Sequence, residues 1–152
     1  MVFAPQADAQ VVKASPGRNY GSSTKMGSDR SPVIESYLRF NVSGLSAPVA
    51  RVRLRLYVTD GSANGPKVYP SATTWSESGV TWNNRPARTG PVVADIGSIG
   101  AGHYVEWDVT AAVTGNGTYS FDLAPDSTNG TTFKTREASS GQPQLVVDFA
   151  AP

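Results

Sequence analysis

Residues 51–58 read RVRLRLYV, and they limit the fold more tightly than any other stretch of the chain. Val52, Leu54, Leu56 and Val58 take alternate positions, with Arg51, Arg53, Arg55 and Tyr57 between them. A helix would scatter those four apolar side chains around its circumference. A strand gathers them on one side, because successive side chains point to opposite faces. One face therefore belongs to a core, and the other presents guanidinium groups and a tyrosine. Upstream, Glu35 to Val42 has the same period, with Leu38, Phe40 and Val42 set against Glu35, Tyr37 and Arg39. The Ser/Gly/Pro-rich link between the two runs predicts an antiparallel hairpin. In that geometry Tyr37 and Arg39 lie on the outer face beside the arginine row.

Further strands are predicted over residues 9–13, 67–69, 92–96, 103–109, 118–123, 132–136 and 144–149, each fenced by Gly, Pro or Asn. With 15 Gly and 11 Pro in 152 residues, such punctuation recurs too often for long helices. One helical turn is expected at 108–113, with Asp108 as its cap. Residues 75–86 show little periodicity and read as an ordered loop. The predicted fold is all-β: an antiparallel β-sandwich of jelly-roll type with about eight or more short strands. A chain of this length makes one domain and buries roughly two-thirds of its unfolded surface. Residues 1–6 and 150–152 are expected as linker ends of a module from a longer chain.

Composition then removes several function classes. The chain has no cysteine, hence no disulfide framework, thiolate nucleophile or Cys-based metal centre. Its formal net charge of +1 lacks the positive excess of a nucleic-acid binder. No apolar run approaches the roughly 20 residues of a membrane span. Arginines outnumber lysines nine to four, and Arg is preferred where carboxylate or sulfate is held bidentately.

Several motifs occur in a characteristic order: Ala7-Asp8-Ala9-Gln10-Val11, Asn19-Tyr20-Gly21, Tyr37-Leu38-Arg39-Phe40, Leu54-Arg55-Leu56-Tyr57, Trp75 to Asn84, Val105-Glu106-Trp107-Asp108, and Thr135-Arg136-Glu137 with Pro143-Gln144-Leu145. Together they resemble the DNRLRE-type domain, a group that includes carbohydrate-binding module family 96. The resemblance implies a secreted bacterial β-sandwich that binds polysaccharide, alginate-like acidic chains being its best-known ligands, through lysines and arginines. Carried over position by position, it points to Lys25 and Arg39, with Arg30 between them. The stretch from Met26 to Glu35 is shorter than the family pattern, with Met26-Gly27-Ser28 where a more regular basic strand would stand.

The residues themselves allow two readings of the arginine row. Acidic polysaccharides carry a charge on each sugar, and side chains about 4.8 Å apart on neighbouring strands can meet successive charges. Alternatively Glu106, Asp108 or Asp122 pair with the arginines across the sheet, each exposed pair contributing only ~0.2–1 kcal/mol. The expected ligand-binding set is Lys25, Arg30, Tyr37, Arg39, Arg51, Arg53, Arg55 and Tyr57, with tyrosines stacking on sugar rings. Trp107, in phase with Val105 and Val109, is assigned to the core, and Trp75 and Trp82 to anchoring their loop. Asp8 and Asp148, on the first and last strands, are the expected ligands of a structural Ca²⁺. The resulting expectation is a monomeric, non-catalytic module that directs an attached enzyme or adhesin to a polysaccharide, without nucleic-acid binding or membrane insertion. A structural or adhesive spacer is the alternative. A polysaccharide lyase is a third reading, but the single histidine, His103, has no catalytic partner at recognisable spacing.

Overall fold

A computed structural model describes residues 1–151. Ten strands form, all paired antiparallel: β1 (Val2–Phe3), β2 (Ala7–Val12), β3 (Lys25–Arg30), β4 (Val33–Val42), β5 (Val49–Asp60), β6 (Lys67–Ser71), β7 (Tyr104–Asp108), β8 (Gly117–Ala124), β9 (Thr131–Lys134) and β10 (Gln144–Phe149). The only helical element among the described residues is a 3-10 turn, Thr110–Ala112, where Asp108 Oδ1 accepts the Thr110 N–H.

Two long strands act as spines. β4 pairs with β2 along one edge and with β8 and the start of the β3 hairpin along the other. β5 pairs with β7 along one edge and with β10, then β9, along the other. β3 leaves β4 after two residue pairs and joins β9, so one continuous sheet folds over on itself into the expected sandwich. Leu38, Phe40 and Val42 face Val52, Leu54, Leu56 and Val58 in a core shared with Met26, Trp107, Phe121, Leu123, Phe133, Leu145 and Val147. The apolar faces read from the alternation are therefore the faces that the fold buries.

The predicted hairpin does not form. Both edges of β4 and both edges of β5 are occupied by other strands, so the 43–48 link carries the chain from one layer to the other. Tyr37 and Arg39 consequently lie on the opposite outer surface from the arginine row. Alternation assigns faces correctly but cannot say which strands are neighbours.

Other corrections are local. Residues 92–96 make only a single bridge, Ala94 to Val68, rather than a strand. The Lys25–Arg30 segment, which lies outside the predicted strands, is strand β3. Residues 1–6 are not all linker: β1 pairs with β10, and the terminal amine of Met1 donates to the Val147 carbonyl. The loop over 72–90 lies across the outer face of β2 and β4. There Tyr37, Ala9, Val11 and Val80 form a second apolar cluster flanked by Trp75 and Trp82, as expected for rings that anchor a loop.

Candidate functional site: a cationic strip across the folded sheet

The outer face of β5 is largely neutralised by the protein itself. Register places Arg51 opposite Asp148, Arg53 opposite Asp108 and Arg55 opposite Glu106. Arg53 donates to Glu106 at 2.9 Å and to Asp148 at 3.3 Å. Arg55 Nε sits 2.9 Å from the same Glu106, and its Nη1 donates to Gln144 Oε1. Its guanidinium also lies 4.4 Å from the centre of the Tyr104 ring. Of the three arginines, only Arg51 is exposed and makes no hydrogen bond or salt bridge among the described residues.

On the opposite surface, Arg39 is half-buried and consumed in holding the 72–90 loop. It donates to Gln6 Oε1 and to the carbonyls of Thr73 and Trp75, and it stacks 5.0 Å from the Trp75 ring. Tyr37 is 1% exposed beneath that loop, so sequence reasoning placed it beside a ligand surface that it does not share. A cleft of about 540 Å³ opens next to it, lined by Glu35, Arg85, Ala87, Arg88 and Asp122. Arg88 binds both acids, Asp122 at 2.9 Å and Glu35 at 2.7 Å, while stacking on Tyr69. Burial, and next the charge of Glu35, push the Asp122 carboxyl up to about 7 against the pull of Arg88.

Between its ordinary value and about 7, the folded chain holds a proton on Asp122 that the unfolded chain releases. Stability therefore falls as pH rises from about 4 to about 7. Asp122→Asn is expected to flatten this dependence and to be relatively more stable than the parent at pH 8, as measured by denaturant midpoints between pH 5 and 8. An equally steep profile in the variant would show that Asp122 does not titrate there.

The β3–β9 surface differs from both. Lys25 and Lys134 are direct cross-strand partners on one face, and neither makes a hydrogen bond or salt bridge from its ammonium among the described residues. Two like charges opposed across a ladder are unfavourable unless something else meets them. The Lys134 ammonium lies 4.5 Å from the centre of the Tyr57 ring, and Tyr57 meets Tyr104 edge-on at 5.5 Å. The resulting strip runs Lys25, Lys134, Tyr57, Tyr104 across four strands, with Arg55 beside its end. A groove of about 380 Å³ adjoins it, lined in part by Gln10, Lys25, Gly27, Asp29, Asn129 and Thr132. A Cβ on Gly27 would stand 3.2 Å from the Thr131 carbonyl and 3.5 Å from Gln10 Oε1, a tight fit that glycine avoids. Arg30 is exposed at the far end of β3, five residues and roughly 17 Å of extended strand from Lys25.

Three of the expected site residues, Lys25, Tyr57 and Arg55, are thus brought together. Lys134 and Tyr104 were missed. Each alternates with an apolar neighbour packed on the core, the buried Phe133 or the half-buried Val105, but no local signal says that β9 lies between β3 and β5. The expected Asp8–Asp148 pair does not assemble either. Asp148 is bound to Arg53 on β10, whereas Asp8 sits opposite Leu38 in the other layer.

An antiparallel sandwich with an open polar groove and a mixed strip of cations and aromatic rings defines a β-sandwich recognition module. The chain belongs to carbohydrate-binding module family 96, whose family model matches residues 1–149. Its partner is accordingly a carbohydrate. No curated protein matches it in sequence.

Proposed function

We propose that this chain is a non-catalytic, secreted module that directs an attached enzyme or adhesin to an acidic, alginate-like polysaccharide. The observation that carries this reading is the directly opposed, otherwise unpaired Lys25–Lys134 couple beside an open polar groove. A carboxylate on a sugar chain would relieve the repulsion of the two ammonium groups. Arg51, in phase with Arg55 and Tyr57 on the outer face of β5, is available to a later charge of the same chain, and Tyr57 and Tyr104 supply apolar surface for sugar rings. His103, the single histidine, is an exposed turn residue and heads no hydrogen-bond relay among the described residues.

Binding held by exposed charges weakens with salt, because screening shortens their reach to about 10 Å at 0.1 M ionic strength. Calorimetric titration with alginate, pectate and a neutral glucan, at low and at 0.5 M salt, is expected to show binding to the acidic chains only and its loss at high salt. Salt-insensitive binding to the neutral glucan would overturn the acidic assignment. One observation favours a second reading, a structural spacer: Arg53 and Arg55 are already paired with Glu106 and Asp148. Failure of all three polysaccharides to bind would support it.

A further inference from the structure

Asp8, Glu77 and Glu137 come from β2, from the loop over 72–90 and from the segment between β9 and β10, far apart in the chain. Their carboxylate oxygens nevertheless lie within 4.8 Å of one another. Asp8 is 1% exposed. Its Oδ2 accepts the Arg136 N–H at 2.8 Å, but its buried Oδ1 finds no donor among the described residues. One guanidinium, that of Arg136, serves the group, 3.1 Å from Glu77 and 3.7 Å from Glu137. Three carboxylates against one guanidinium leave two formal negative charges around an unpartnered buried oxygen, an arrangement that is unfavourable unless a proton or cation resolves it.

We propose that Asp8, Glu77 and Glu137 form a divalent-cation site of the Ca²⁺ type. All three donors are hard oxygens, with neither His nor Cys among them, which suits Ca²⁺ or Mg²⁺ and disfavours zinc. The ligands come from a strand and two irregular segments, and flexible carboxylate cages of that kind fit the 2.3–2.6 Å, high-coordination shell of Ca²⁺ better than the rigid octahedron of Mg²⁺. Asn19, Gly21, Ser22 and Ser78 line a cleft of about 380 Å³ with Glu77 and Glu137, leaving room for water to complete the shell. The site is built at a tight junction. A Cβ on Gly21 would stand 2.1 Å from the Glu77 carbonyl, and Asn19 donates to the carbonyls of Glu77 and Val80. A cation there ties the 72–90 loop and the 135–137 segment to β2, a role separate from recognising polysaccharide.

The test is thermal unfolding of the chelator-treated chain with added Ca²⁺ or Mg²⁺, alongside Glu137→Gln and Asp148→Asn. Ca²⁺ at about a hundredfold excess over its Kd is expected to raise the parent midpoint by about 5–10 °C. Glu137 is exposed, so its glutamine variant folds, and it is expected to lose most of that increment; Asp148→Asn retains it. A parent midpoint indifferent to Ca²⁺ would show that a shared proton, not a metal, resolves the cluster. Retention of the full increment by Glu137→Gln, or its loss in Asp148→Asn, would place the ion elsewhere.

Discussion

Trp107→Ala is expected to lower stability by about 3–5 kcal/mol, the range for removing a large aromatic side chain from a packed core. Trp107 is 1% exposed and sits opposite Leu54 on the inner face of the β5 layer. Its ring meets Phe133 at 5.8 Å and 76°, and Phe133 belongs to β9, the strand that carries the sheet from one layer towards the other. Removing the ring therefore opens a cavity at the fold-over itself. It also deprives the Pro66 carbonyl of its buried partner, the Trp107 indole N–H at 3.0 Å. Trp107→Phe separates the two contributions: keeping an aromatic ring but not the donor is expected to cost about 1–3 kcal/mol. Denaturant unfolding of both variants gives the measurement. Near-equal losses would show that the hydrogen bond, not the ring, holds this junction.

The second large effect is on binding. Replacing Lys25 and Lys134 together by Ala is expected to weaken acidic-polysaccharide binding by roughly 10- to 30-fold, at about 1 kcal/mol for each charged contact. Stability is expected to move the other way. Removing one member of an opposed like-charged pair relieves repulsion worth a few tenths of a kcal/mol, so Lys25→Ala alone leaves the unfolding midpoint unchanged or slightly raised. This opposition of sign distinguishes a binding residue from a structural one. Arg39→Ala provides the contrast. Its guanidinium holds the Thr73 and Trp75 carbonyls, so its loss is expected to loosen the 72–90 loop with little direct effect on the ligand. If Arg39→Ala abolished binding at unchanged stability while the double lysine variant bound normally, the recognition surface would lie on the β2–β4 side.

The two spines show how far a linear reading reaches. The period of two in 35–42 and 51–58 assigned every core side chain of β4 and β5 to its correct face, because side-chain direction along a strand is a local property of the backbone. Trp107 was placed in the core by the same argument, and Trp75 and Trp82 were correctly read as anchors of an aperiodic loop. β3 was harder. Met26, Gly27 and Ser28 carry little strand signal, and β3 exists because β4 and β9 offer it ladders. The partners of the arginine row were legible as residue types, since Glu106 had been named as a candidate. Asp148 had been assigned to a metal instead, and its register against β5 set its true role.

What the sequence alone determined was therefore the all-β class, the identity of the buried faces and the family to which the chain belongs, all of which follow from local alternation and short motifs in order. Tertiary structure alone decided that β4 and β5 face each other across the core rather than pair as a hairpin. That one outcome moved Tyr37 and Arg39 away from the arginines, brought Lys134 beside Lys25, and drew Asp8, Glu77 and Glu137 from three distant segments into one cluster. The physical reason is that strand edges are chemically alike. Any backbone ladder can satisfy the N–H and C=O groups of a strand, so neighbours are chosen by how all the apolar faces close together, a global condition that no single segment records.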